Sequence, residues 1–219
     1  MRRAVRPYPD ELLSSALIRF CRQYRLSSHG LANHVLGLPG WRLSFMCGLP
    51  LQPICDLLGT SADQLLRQHT PLPYAGAFTS DEIHRRSWSD AIAGAESAPL
   101  RALMCNAISD PSMRRFCSSC VREDLLMHGE SYWHLSHQLP GVLACVRHGR
   151  ALRWSTIPFN VKGPGQLTLP SECRGRQIRL HPPTLIAIAI DSVDLLKCRE
   201  PDQRSAQFYR HMAQSRGYL

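Results

Sequence analysis

Two paired motifs, Cys117-x2-Cys120 and Cys145-x2-His148, constrain this chain more than any other feature. Each half is a chelate with two intervening residues, and residues 121–144 separate the halves. Two such pairs can surround one tetrahedral Zn2+ with three thiolates and an imidazole. Protein then fills all four coordination positions. The site reads as structural, because a catalytic zinc keeps a position for water. A small module on such a centre buries too little apolar surface to fold alone, so metal binding supplies its stability. The plainer alternative is two unrelated pairs of buried residues. His134 and His137 lie close enough in sequence to act as substitute ligands, although a hydrogen-bonded core histidine is the simpler assignment for His137. A redox role for Cys117-Ser118-Ser119-Cys120 is the competing chemistry, and the matched Cys145-x2-His148 argues against it.

Nine cysteines, an odd number, come without a signal peptide: Arg2, Arg3 and Arg6 are followed by Pro7 and Pro9, not by an apolar run. A reducing interior follows, with cysteines as metal ligands or core residues. Cys21, Cys47, Cys55, Cys105, Cys173 and Cys198 pair with nothing by spacing, though Cys173 could belong to a second site. No apolar run approaches the ~18 residues of a membrane helix, and Leu185–Ile190 ends at Asp191. No membrane association is expected.

The net charge of +9 comes from 26 basic and 17 acidic residues and is concentrated at the two ends of the chain. Such a field attracts nucleic acid or an acidic protein. Arg22, Arg25, Arg67, Arg147, Arg150 and Arg153 are the candidate phosphate contacts. A solvated surface is the competing explanation. Only Lys162 and Lys197 are lysines, a bias that base composition of the genome also produces.

The spacing of Leu13, Leu17, Cys21 and Tyr24 predicts an amphipathic helix. Pro9 suits its first turn, and Asp10 and Glu11 suit its positive end. Ser27 or Ser28 can cap a second helix that Gly37 closes. Residues 50–69 read as two short helices around Gly59, with Thr60 and Ser61 as caps and Asp63 or Gln64 completing a capping box. This is a helix-turn-helix pattern, but Asp56 and Asp63 would sit near phosphates with only Arg67 opposing them, and the second helix is poorly equipped to read bases. Pro71-Leu72-Pro73 reads as a linker, and Thr79 with Glu82 as a capping box opening a helix through Ile92. A further helix is expected over residues 100–108. Tyr132–Leu143 reads as a short hairpin of the zinc-ribbon kind. Its aromatics could stack on bases, and core packing is the preferred role. Residues 155–181 read as irregular, with helices over 184–196 and 202–215.

The expected fold is mainly α with a small β-containing zinc ribbon. The divisions are 1–70, helical and helix-turn-helix-like; 71–115, linker and helical segment; 116–154, zinc-ribbon-like module; and 155–219, connection and C-terminal helices. Enzyme motifs such as HExxH, GxSxG and the phosphate-binding loop are missing from the sequence. A basic, non-enzymatic protein with a closed zinc site is the expectation. A zinc-stabilised helix-turn-helix transcription regulator, or a metal-dependent nuclease, are the other classes these features admit.

Tyr132-Trp133-His134-Leu135-Ser136-His137-Gln138-Leu139-Pro140-Gly141-Val142-Leu143-Ala144-Cys145-Val146-Arg147-His148-Gly149 resembles the signature of the TniQ/TnsD transposition proteins. Phe116–Asp124, Pro9–Ser15 and Leu57–Ser61 fit the same pattern, so the resemblance covers about residues 7–152. Tyr209–Met212 with Arg216-Gly217-Tyr218 is similar to a point midway through longer members, which implies a short or truncated chain. The resemblance implies a non-enzymatic adaptor of Tn7-like transposons in the bacterial cytoplasm, including CRISPR-associated ones. Such an adaptor links target recognition to an AAA+ regulator (TnsC or TniB). The target is recognised by an RNA-guided effector complex or by direct contact with DNA. Monomers and dimers are both compatible with it.

Overall fold

A computed structural model of the protein describes residues 4–37, 51–77, 79–93, 113–158, 167–177 and 183–197. Helix α1, Leu13–Gln23, follows an extended Leu12 and buries Leu13, Leu17, Ile18, Phe20 and Cys21. Pro9, Asp10 and Glu11 lie outside it, and its first turn holds no acidic residue. The expected dipole role of these carboxylates is therefore corrected; they serve contacts distant in sequence instead. Arg25 adopts a left-handed φ of 51°, and the Leu26 amide returns to the Cys21 carbonyl at 2.8 Å, which stops the helix. Helix α2, Ser28–Gly30, is capped by the Ser27 hydroxyl and runs into a π-turn over Leu31–Val35.

Helices α3, Leu51–Leu58, and α4, Ala62–His69, flank Gly59, whose φ of +64° reverses the chain. The Ser61 hydroxyl accepts from the Gln64 amide, the capping half of the expected box. The segment expected as a linker is helix α5, Leu72–Gly76, with every residue buried. Its prolines sit at the N-terminal end, where a missing amide costs nothing. Helix α6, Asp81–Ile92, is capped by Ser80 and not by Thr79, whose hydroxyl donates to the Gly76 carbonyl instead.

Strands β1, Met113–Phe116, β4, Arg153–Pro158, and β5, Gly175–Gln177, form an antiparallel sheet in the order β1-β4-β5. Strands β2, Ala144–Cys145, and β3, Arg150–Ala151, form a separate hairpin. Gly175 lets the sheet close tightly, since a Cβ there would come within 2.6 Å of the Phe116 ring. Helix α7, Ser118–His128, follows β1 directly and ends at Gly129 with φ +75°. The hairpin expected within Tyr132–Leu143 does not form. That segment makes one β-bridge, Glu11 to His134, and a 3-10 turn at Ser136–Gln138. Its aromatics are drawn into the core, with Trp133 fully buried and its indole N–H donating to the Thr168 carbonyl at 2.9 Å. Base stacking by these rings is thereby set aside in favour of packing. The stretch expected to be irregular after 155 contributes β4 and β5.

Helix α8, Pro183–Lys197, packs on α5 and β2. One apolar core joins α1, α3–α5, Trp133, Leu135 and α8. The result is a mainly helical fold with a small antiparallel sheet. The helices expected over 100–108 and 202–215, and Cys47, Cys105 and Cys198, lie outside the described residues.

Candidate metal centre

The β1–α7 junction and the β2–β3 hairpin bring four side chains to one point. Cys117 immediately precedes α7, and Cys120 lies on its first turn. Cys145 ends β2, and His148 occupies the turn that Gly149 closes at φ +60°, with the Gly149 amide donating to the Cys145 carbonyl. The four ligand atoms all lie within 4.8 Å of one another. His148 Nδ1 is 3.7 Å from Cys117 Sγ, 3.4 Å from Cys120 Sγ and 3.5 Å from Cys145 Sγ. Cys120 and Cys145 sulfurs are 3.6 Å apart. Zn–S bonds of about 2.3 Å and Zn–N bonds of about 2.0 Å imply tetrahedral edges of roughly 3.5–3.8 Å. The spacing therefore suits a four-coordinate ion, and the group could hold one.

The thiols' charges point the same way. Hydrogen bonds from Cys120 and Cys145 hold the Cys117 thiol far below the ordinary range, while the same contact with Cys117 pushes Cys120 up. Contact with Cys117 likewise pushes Cys145 up to about 11. Thiols packed this closely disfavour one another's ionisation, and a cation among them would release their protons. His148 Nε2 lies 2.8 Å from Glu123 Oε1, and Arg147 donates to the other Glu123 oxygen at 2.7 Å. Donation from Nε2 fixes the tautomer that leaves Nδ1 facing the thiols.

His134 and His137 do not join the four. His134 is clamped between Asp10, 3.3 Å from Nδ1, and Asp124, 3.1 Å from Nε2. Asp10 also accepts from the Ser136 amide at 3.0 Å and the Ser136 hydroxyl at 2.5 Å. Burial opposes charge on His134, but the two carboxylates outweigh it and push its pKa up to about 9. His137 is buried with Nε2 3.9 Å from Cys120 Sγ, and burial holds it neutral at about 3. Its Nδ1 has no hydrogen-bond partner among the described residues.

Beside this clamp, Glu11 is fully buried and accepts from Arg19 at 2.7 Å, Ser15 at 2.9 Å and the Tyr8 amide at 2.9 Å. Arg19 continues to Glu130 at 2.8 Å. Asp10, Glu11, Asp124 and His134 thus tie the N-terminal helices to the metal-centre module. Sequence patterns missed these pairings, because their partners lie up to 124 residues away. The available signal was charge bordering an apolar run at Asp10-Glu11-Leu12-Leu13.

His134 yields a direct expectation. Its folded pKa lies above the ordinary 6.5, so its charge stabilises the fold fully below about pH 6.5 and is lost as pH rises through about 9. An imidazole NMR titration should find this ring charged through pH 8, and Asp10→Asn should lower its midpoint. A midpoint near 6.5 in the unaltered protein would contradict the clamp.

The candidate arginines divide. Arg22 pairs with Glu172 at 2.5 Å, Arg67 with Asp63 at 2.8 Å and Arg147 with Glu123 at 2.7 Å. Arg67 also lies over the Trp88 ring at 4.7 Å. Arg25 sits in the left-handed turn that ends α1. Arg150 and Arg153 instead line one cleft, together with Arg122, which the sequence had not singled out.

Among the described residues, no helix is long and apolar enough to cross a membrane. No curated protein matches the chain. The TniQ family model matches residues 2–152, from the start of the N-terminal helical segment through the metal-centre hairpin. That match covers more than half of the 219 residues, and the chain belongs to the TniQ family.

Proposed function

We infer that this chain is a non-enzymatic transposition adaptor, a reading carried by the family match over residues 2–152. Membership implies a transposition-associated adaptor role. The finer proposal is that the chain connects a target-recognition element to an AAA+ regulator of the TnsC or TniB kind in a bacterial cytoplasm. Either an RNA-guided effector complex or target DNA supplies the recognition. Cys117, Cys120, Cys145 and His148 hold one structural Zn2+ in this proposal. A divalent ion offsets two of the three thiolate charges and cross-links α7 to the β2–β3 hairpin, with no position left for substrate or water.

One observation weighs against a helix-turn-helix regulator that reads DNA alone. Arg67, the basic residue of α4, is engaged by Asp63 and Trp88. Base-edge readout needs free bidentate donors in the groove. The test is retention of the purified AAA+ regulator by the immobilised chain, with nucleotide, with and without DNA. The adaptor retains the regulator and binds duplexes of different sequence alike, with affinity falling steeply as salt rises. Tight binding to one duplex at physiological salt, lost in Arg67→Ala, would establish the regulator instead.

A further inference from the structure

A cleft of about 640 Å3 opens beside the metal centre, lined by Ser118, Ser119, Arg122, Arg150, Arg153 and Gln177, with Cys117 and Ala151 completing its wall. Its volume falls within the roughly 300–1,000 Å3 of ligand pockets. Three guanidinium groups from three elements meet there: Arg122 from α7, Arg150 from β3 and Arg153 from β4. Among the described residues, none that lines the cleft is a carboxylate. This separates the cleft from Arg22, Arg67 and Arg147, each of which faces an acid within 2.8 Å.

The positive field comes from the side chains. The amides of Ser119 and Cys120, in the first turn of α7, are turned to the Cys117 sulfur. Arg153 is anchored by donating to the Gly175 carbonyl, and Gln177 lies opposite it in the β4–β5 register. Arg122 donates to Ser119 at 3.4 Å, which leaves most of its fork available. Arg150 is exposed. Guanidinium forks match phosphate oxygens bidentately. Among the described residues no aromatic lines the cleft, so these walls offer no platform for base stacking. Donors without stacking or base-reading groups suit a backbone and not a sequence.

We propose that this cleft seats the phosphate backbone of a nucleic-acid strand, with Arg122, Arg150 and Arg153 as its phosphate contacts. The inference rests on the reading of the chain as a transposition adaptor, and it assigns that adaptor's nucleic-acid contact to one face beside the metal centre. The contact is independent of sequence, and it places a strand against the wall formed by α7 and the β2–β3 hairpin.

The test uses the full chain loaded with zinc and short labelled single strands and duplexes, read by fluorescence anisotropy at two salt concentrations. Arg122→Gln with Arg150→Gln is the informative variant, since Arg153 also braces the β4–β5 pair. Affinity should fall roughly tenfold and the salt slope by about one to two. Arg22→Gln, whose arginine is carboxylate-paired, should change affinity less than about twofold. Metal content and melting temperature should match the unaltered protein in all variants. Preference between single strand and duplex then identifies the form that enters. Unchanged affinity in the double variant would overturn the proposal. So would an equal loss in Arg22→Gln, or displacement by poly-glutamate as effective as by unlabelled nucleic acid. Retention of the AAA+ regulator by the double variant separates the two readings, because the cleft can fail while the adaptor stands, and the adaptor can fail while the cleft binds.

Discussion

Cys120→Ser is expected to abolish metal binding and to unfold the region around α7 and the β2–β3 hairpin. Cys120 is fully buried and lies within 3.6 Å of both Cys145 Sγ and His148 Nδ1. A serine hydroxyl is a poor zinc ligand and leaves a polar group among apolar neighbours. Structural zinc in small modules contributes about 10–16 kcal/mol of apparent binding energy, against about 5–15 kcal/mol for the whole stability of a typical domain. Cys117, Cys120 and Cys145 also belong to the apolar core that includes Leu12, Trp133 and Leu152, so the damage spreads beyond the centre. Elemental analysis of the unaltered protein should find one zinc per chain, and chelator titration should lower the melting temperature in step with zinc loss. Full zinc content in Cys120→Ser, or a melting temperature indifferent to chelator, would sink the assignment.

The second large effect concerns the buried ion pair of Glu11 and Arg19. Their side chains are 0% and 5% exposed, and the contact is 2.7 Å. Burial pushes the Glu11 carboxyl up to about 7 in spite of Arg19, which shows how unfavourable an unpaired charge would be at this position. Arg19→Ala leaves the buried Glu11 carboxylate with only the Ser15 hydroxyl and the Tyr8 amide as donors. Breaking such a pair costs about 3–5 kcal/mol. For a chain of this size each kcal/mol shifts the melting temperature by about 2–4 °C, so a drop of roughly 6–20 °C is expected. Replacing both partners, Glu11→Leu with Arg19→Met, should recover much of the loss, because no charge is then left buried. A shift of less than about 1 kcal/mol in Arg19→Ala would place the pair among solvent-screened surface contacts.

The features legible in the sequence are those fixed over short distances. The periodicity of Leu13, Leu17 and Cys21 marks α1 because burial of one helical face repeats locally. Ser27 and Ser61 mark helix starts because capping joins a residue to an amide three positions on. The grouping of Cys117, Cys120, Cys145 and His148 was legible because each chelate is a local turn and only one long-range closure was needed. Local signals misled where tertiary packing outweighed them. Pro71–Pro73 carries the composition of a linker, yet Leu72 and Pro73 open the buried helix α5. Tyr132–Leu143 carries strand-forming aromatics, yet among the described residues its strand pairing is the single bridge to Glu11, and Trp133 fills the core instead.

Only the tertiary structure decided which charges are neutralised and which are free. Asp10 and Glu11 precede a helix, and a helix dipole was the local interpretation. The fold spends them on His134 and Arg19. Arg147 and Arg150 are close neighbours with equal charge in sequence. Glu123 reaches the first across the α7–hairpin interface, while the second opens onto the cleft with Arg122 and Arg153. A charge is set by the residue, but its pairing depends on separations of a few ångströms between segments far apart in the chain, and those distances exist only once the core has closed.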